Sequence, residues 1–414
     1  MYVSLRDRPG GEATGAAPKA ARRVATTVVL LGVVSLLTDV SSEMVASVLP
    51  LYLTAQVGLT MAAYGLLDGV YQGVSAAVRI AGGYAGDRGR HPKWVAVFGY
   101  GVSALSRIAM LPVHGFATIT AVITADRLGK GLRTAPRDAL IADASDPATL
   151  GRSFGVHRTL DTIGAAIGPL VAFGLLLAVP AGYNSIFVVS FAVALAGVAV
   201  LVLFVPNRRT GAAGRGPGLR TLLREATGPR LRRPLFAAGL LGVLTVGDGF
   251  LYLSLQERDA FASLYFPLLY VGTNVAYLAL AVPFGRLADR IGKATVLVGG
   301  HVALLVGYLL AARPAGGLLF TVLVLLLLGT FYAATDGVLP ALVSRLVTAQ
   351  ARGTGIAAAQ TVVAVARFAA AFGFGALWDA TGRGTALLVV AGLLAGAIPL
   401  AYALLRGVDA RLAG

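Results

Sequence analysis

Apolar runs of roughly 20 residues recur from Val24 to Leu405, each long enough to carry an α-helix across a bilayer. That pattern restricts the chain to a helical membrane protein. Only 13% of its residues are charged, about half the share usual in a soluble chain. No polar stretch is long enough to have a core of its own.

Cutting at Gly, Pro and charge clusters gives twelve spans, near 25–53, 59–85, 94–113, 116–141, 152–179 and 183–205, then 234–256, 262–288, 294–312, 317–345, 353–378 and 385–405. An even count puts both termini on one side. The cations then fall together there, with Arg22, Arg23, Arg88, Lys93, Arg290, Lys293, Arg345 and Arg406 on the side expected to be cytoplasmic. The predicted organisation is a cytoplasmic tail over 1–24, a six-helix bundle over 25–205, a linker over 206–233, a second bundle over 234–406 and a tail over 407–414.

The net charge of +16 is concentrated in that linker, which carries eight arginines against Glu225. It reads as a cytoplasmic loop that meets anionic lipid headgroups rather than nucleic acid. The bundles repeat: "GYAGDR" (83–88) and "GRLADR" (285–290) lie 202 residues apart, and Gly151 falls on Gly353 at the same offset. Parallel six-helix repeats are a known transporter architecture.

"GRLADRIGK" (285–293), after the eighth span, resembles the loop motif of the major facilitator superfamily through Gly285, Asp289 and Arg290. The copy after the second span keeps Gly83, Asp87 and Arg88, with Arg90 where the family usually has Gly. "ITADRLGKGLRTA" (123–135) resembles the family's R-x-x-Q-G pattern, with Arg127 and Gly131 in place and Lys130 for Gln. Gly155, Gly164, Gly168 and Pro169 reproduce the G-x8-G-x3-G-P pattern of its proton antiporters, followed by Ala172-Phe173 in place of Gly-Gly. "SLLTDVSSEM" with 126–145 also resembles a bacterial subgroup of the family. The resemblance implies twelve helices in the major facilitator fold, in a bacterial cytoplasmic membrane, with spans 1, 4, 7 and 10 lining a central cavity.

Charges at a bilayer centre cost several kcal/mol unless paired or hydrated. All four of those spans carry acids inside their apolar runs: Asp39 and Glu43, Asp126, Asp248, and Asp336. Asp39 and Glu43 stand one helical turn apart on one face, where mutual repulsion favours holding a proton. The alternative is a structural pair neutralised by cations of a neighbouring helix. Asp126, Lys130, Arg133 and Arg137 lie within about 60° of one another around span 4, and Asp126 and Lys130 can pair at i, i+4. By family analogy Arg127 moves the proton or holds the acid of span 1. Arg133 and Arg137, with His157, Arg158 and Asp161 of span 5, read as gate residues. Arg107, Asp68 and Arg367 read as partners between helices. Tyr71, Phe250, Tyr252, Tyr270, Phe331 and Tyr332 would suit a partly apolar ligand on the cavity wall.

There is no cysteine, and His91, His114, His157 and His301 are scattered, so no metal centre is expected. "DRIGKAT" lacks the upstream glycine of a nucleotide-binding loop, and no Ser or Thr is paired with a His and an acid. The expectation is a monomeric secondary transporter without cofactor, not an enzyme, exporting a small organic molecule in exchange for protons. Metabolite uptake and metal-cation transport are the alternatives within transport; a non-transporting sensor or scaffold is the alternative outside it.

Overall fold

The computed structural model describes residues 24–86, 92–113, 115–146, 149–207, 228–347 and 352–410. Among these there are helices and no strands. They form twelve long elements: α1 (Thr26–Ala46, continued by Leu49–Leu51 and a π-helical turn Tyr52–Gln56), α2 (Met61–Gly86), α3 (Pro92–Ala109), α4 (Phe116–Asp143), α5 (Leu150–Ala178) and α6 (Tyr183–Phe204). Then follow α7 (Pro229–Val243 and Asp248–Asp259), α8 (Phe266–Ile291), α9 (Lys293–Ala312), α10 (Leu318–Thr335 and Val338–Ser344), α11 (Arg352–Thr381) and α12 (Arg383–Ala410). Nine of them are long and apolar enough to cross a membrane, among the described residues. α4 falls short because Asp126, Arg127, Lys130, Arg133, Arg137 and Asp138 interrupt its apolar face.

The packing shows the repeat directly. α1 contacts α5 and α6, as α7 contacts α11 and α12; α2 and α3 contact α4, as α8 and α9 contact α10; α3 meets α6, as α9 meets α12. Each of these pairings recurs six helices later. The contacts between halves obey the same rule, α2 with α11 and α8 with α5. Two parallel bundles related by a pseudo-two-fold axis produce this pattern.

Three of the four helices expected at the centre are broken there. α7 stops at Val243 and restarts at Asp248; the backbone freed by the break is satisfied by Tyr308, whose hydroxyl accepts from Val246 N (2.7 Å) and donates to Leu244 O (3.1 Å). α1 breaks before Leu49, and α10 at Asp336 and Gly337. Irregular backbone at membrane depth is tolerated where it is buried in protein or lines a cavity.

The bundle is closed at the face away from the termini. There one apolar core runs through both halves, joining Val48, Tyr52, Tyr64 and Phe187 to Phe250, Phe266, Tyr308 and Trp378. At the terminal face Val28, Leu31, Tyr100, Leu140 and Leu201 form a cluster of their own, and so do Leu231, Val343, Ile356 and Ala359. At the closed face the Asp379 carboxylate of α11 accepts from the first amides of α2, Met61 N at 3.0 Å and Ala62 N at 2.8 Å. A Cβ on Gly375 would lie 3.0 Å from Cα of Ala62, so α11 and α2 meet backbone to backbone.

Losing this cap removes about 0.5–2 kcal/mol from the closed face. Asp379→Ala is therefore expected to raise the labelling rate of Ala371→Cys, a buried position on α11, several-fold with a small thiol reagent. The chain has no other cysteine to confuse the measurement. An unchanged rate would show that the cap does not hold the halves together.

Candidate functional site

α1, α4 and α5 assemble the first polar cluster. Small residues make it possible: a Cβ on Gly168 would sit 2.7 Å from both Cβ of Glu43 and the Val40 carbonyl, and one on Gly164 would sit 2.9 Å from Cα of Leu36. The glycine ridge of α5 thus lies directly on the acid-bearing stretch of α1. Gly155 has open space around it, so the packing reason applies to Gly164 and Gly168 and not to Gly155. Pro169 sits inside α5 and is buried beside Gly168.

Asp39 faces three groups. Arg133 Nη2 lies 3.8 Å from its Oδ1, and Lys130 and Asp161 of α5 act on it electrostatically. Glu43 feels Lys130 most, then Asp39, Arg127 and Arg107. Asp161 also takes Arg158 Nη1 at 2.8 Å.

The arginine of the fourth-span motif goes elsewhere. Arg127 pairs with its neighbour Asp126, Nε to Oδ2 at 2.8 Å, and stacks on Tyr71 with Cζ 3.9 Å from the ring centre. Arg107 of α3 takes the other oxygen of Asp126 at 2.7 Å and donates to Ser42 Oγ at 3.1 Å. Asp126 is 4% exposed. The expected Asp126–Lys130 pair is replaced by two guanidiniums on one carboxylate, leaving Lys130 to the acids of α1. Of the span-1 acids, Asp39 is met by Arg133, while Arg127 acts on Glu43 through its field alone. Nearer the terminal face, Arg137 pairs with Asp138 at 2.9 Å, and buried His157 shares a 2.8 Å hydrogen bond with Ser35.

The second half supplies a more acidic cluster. Asp248 opens the outer piece of α7 and accepts from Tyr332 of α10. Asp68 of α2 presses on the α7 break, where a Cβ on Gly247 would lie 2.6 Å from its Oδ2. Asp336 occupies the α10 break, exposed, and Arg367 of α11 acts on Asp68, Asp248 and Asp336 alike. The field of Arg158, on the opposite half, also reaches Asp336, and the Arg158 side chain is 69% exposed.

Several expected positions read differently. Phe250, Tyr252 and Phe331 are core residues, buried and edge-packed against other rings, while Tyr71 does line the α3–α4 cleft. Asp289 lies in the last turn of α8, and one residue, Gly292 at φ 101, separates α8 from α9. Lys293 pairs with it at 2.6 Å. Gly285 has nothing within contact distance of a Cβ. Gly83 lies on α2; Asp87 and Arg88 lie outside the described residues, as does most of the basic linker. The role of Asp161 beside Asp39 escaped sequence reasoning, which had only its spacing from Arg158; the glycine ridge aligning α5 on α1 was the available signal.

Among the described residues, no group of three His, Asp or Glu side chains has the geometry to hold a metal ion.

Residues 31–371 match the family model described as Major Facilitator Superfamily. An uncharacterized MFS-type transporter of Methanocaldococcus jannaschii is 29% identical over 393 residues, covering 90% of this chain and 95% of that protein. Among solved structures, the nucleoside transporter NupG superposes with a TM-score of 0.79 at 16% identity, covering 92% of this chain and 99% of its own. A mutant of the peptide transporter POT superposes at 0.78 and 14% identity, covering 94% and 96%.

Proposed function

This chain belongs to the Major Facilitator Superfamily, and on that premise we propose that it exports a small organic molecule from the bacterial cytoplasm in exchange for protons, by alternating access. It is a multi-pass membrane transporter and not an enzyme. The observation that carries proton coupling is the acid group of α1 and α5. Asp39, Glu43 and Asp161 lie beside Lys130 and Arg133 in a helix face that otherwise packs tightly. Export rests on the antiporter-like ridge of α5, whose Gly164 and Gly168 press on that acid-bearing helix. Closure at the face away from the termini, with Arg158 and Asp336 exposed on the other, supports a state open to the cytoplasm.

Uptake with the proton is the second reading. In the α1–α3–α4 cluster two buried guanidiniums, of Arg107 and Arg127, face the single carboxylate of Asp126. Such a centre suits an anion that travels together with a proton.

Everted vesicles from cells that overproduce the protein separate the two. With an acidic lumen monitored by a quenched amine dye, an exchanged substrate releases lumenal protons and restores fluorescence. A co-transported one, applied to vesicles without a gradient, carries protons inward and quenches it. A panel of organic acids, amines and neutral metabolites that moves no protons in either direction would sink both readings.

A further inference from the structure

Asp39 of α1 and Arg133 of α4 meet at one level of the bundle, where Asp161 of α5 also acts on Asp39. One helical turn nearer the terminal face, the same three helices contribute Ser35, Arg137 and His157, and these meet as well. Ser35 Oγ lies 2.8 Å from His157 Nε2 and accepts from Arg137 Nη1 at 3.5 Å. We propose that His157 relays the proton between the α1 acids and the cytoplasm, and that Ser35 and Arg137 hold its ring for that step. The inference rests on proton coupling at those acids. It holds for export and uptake alike, since the proton enters the cell in both.

Position and burial carry it. Ser35 and Asp39 are four residues apart, as are His157 and Asp161, so each pair shares a helix face and is separated by about 6 Å along the axis. One water or one side-chain rotation spans that gap. A gate residue of the cavity mouth would be exposed to it, as Arg158 is; His157 is 3% exposed, inside the seam of α1 and α5. Beyond this level α1 and α4 turn apolar, with Leu31 and Ile141 fully buried. The polar way out is sideways, where Arg137 holds Asp138 at 2.9 Å and the Asp138 side chain is 44% exposed. Four charged groups act on the ring. Arg137 and Arg158 oppose a positive imidazole, and Asp138 and Asp39 favour one.

The step conserves protons. An arginine only donates, so Ser35 accepts from Arg137 and keeps its own hydroxyl proton for Nε2, the basic nitrogen of a neutral ring. A proton from the acids adds to Nε2, directly or as the Ser35 hydroxyl takes one up and passes its own on. The imidazolium then releases its Nδ1 proton to water at Asp138, and a ring flip restores the first tautomer. One proton enters, one leaves, and no other bond changes. An imidazole suits the task because it gains and loses a proton near physiological pH.

The test needs no transported compound. Purified full-length protein in detergent receives protons released by a flash from a caged acid, and the infrared band of protonated carboxyl groups is followed in time. In wild type the band rises, and Asp39→Asn/Glu43→Gln lowers its final height. His157→Gln keeps a polar partner for Ser35 but cannot relay a proton; it should reach the wild-type height about tenfold or more slowly. Ser35→Ala leaves the imidazole without its hydrogen bond and should also slow the rise, which carries the test if the glutamine variant does not fold. A wild-type rate in every variant of these two that folds would mean that the proton takes another path. A lower final height reached at the wild-type rate would mean that His157 only holds the acids in place. Either result overturns the proposal. Failure of the coupling reading looks different: Asp39→Asn/Glu43→Gln then keeps the full wild-type height.

Discussion

Asp126→Asn is expected to destabilise the protein by about 3–5 kcal/mol, the largest effect of any single isosteric change in the bundle. The carboxylate is buried between Arg107 and Arg127, and the change keeps its shape while removing its charge. Two buried guanidiniums then face each other with no anion between them. Arg107 also ties α3 to Ser42 of α1, so the strain spreads over three helices. Thermal unfolding of the detergent-solubilised variant, followed by light scattering or size exclusion, checks this. The double variant Asp126→Asn/Arg107→Met should recover part of the loss, because it removes one of the stranded cations. A single variant as stable as wild type would mean that water in the cleft screens the pair.

The ridge of α5 gives a second large effect. Gly168→Val is expected to cut proton-coupled transport by at least tenfold, because its Cβ alone would meet Glu43 and Val40 at 2.7 Å and Met44 N at 2.9 Å. Two of those contacts are with backbone, which cannot step aside; the helices must separate, at about 1–3 kcal/mol of overpacking, and Glu43 moves with α1. Gly155→Val is the control. Nothing lies within 4 Å of a Cβ there, so it should transport nearly as wild type. Equal loss in both variants would show that the motif acts through helix flexibility instead.

Much of this was legible in the sequence because bilayer thickness fixes span length and the cost of buried charge makes each acid conspicuous. The repeat offset that aligned Gly83 with Gly285 reappears as contact pairs six helices apart. What the sequence did not reveal was partner choice. At 100° per residue, Lys130 is as good a neighbour for Asp126 as any, yet Arg107 from α3 reaches it first, and no periodicity within α4 reports on α3. Asp161 reads as the partner of Arg158 by spacing; that it also meets Asp39 depends on how deeply α5 settles into α1, which Gly164 and Gly168 set. The α7 break carries a weak sequence signal in Gly247, and the tyrosine that repairs it, Tyr308, is two helices away.

The central claim is that the α1 acids carry the coupled proton. It is tested most directly in proteoliposomes, with whichever panel compound moves protons in vesicles. Two rates are compared: accumulation driven by a pH gradient, and exchange of labelled for unlabelled compound with no gradient. Asp39→Asn and Glu43→Gln keep shape and volume but cannot cycle a proton. At least one of them should lose gradient-driven accumulation while retaining exchange, since exchange needs only substrate binding and the conformational step. Wild-type gradient-driven accumulation in both single variants and in the double variant would contradict the account and move the proton to Asp248 or Asp336 of the second cluster.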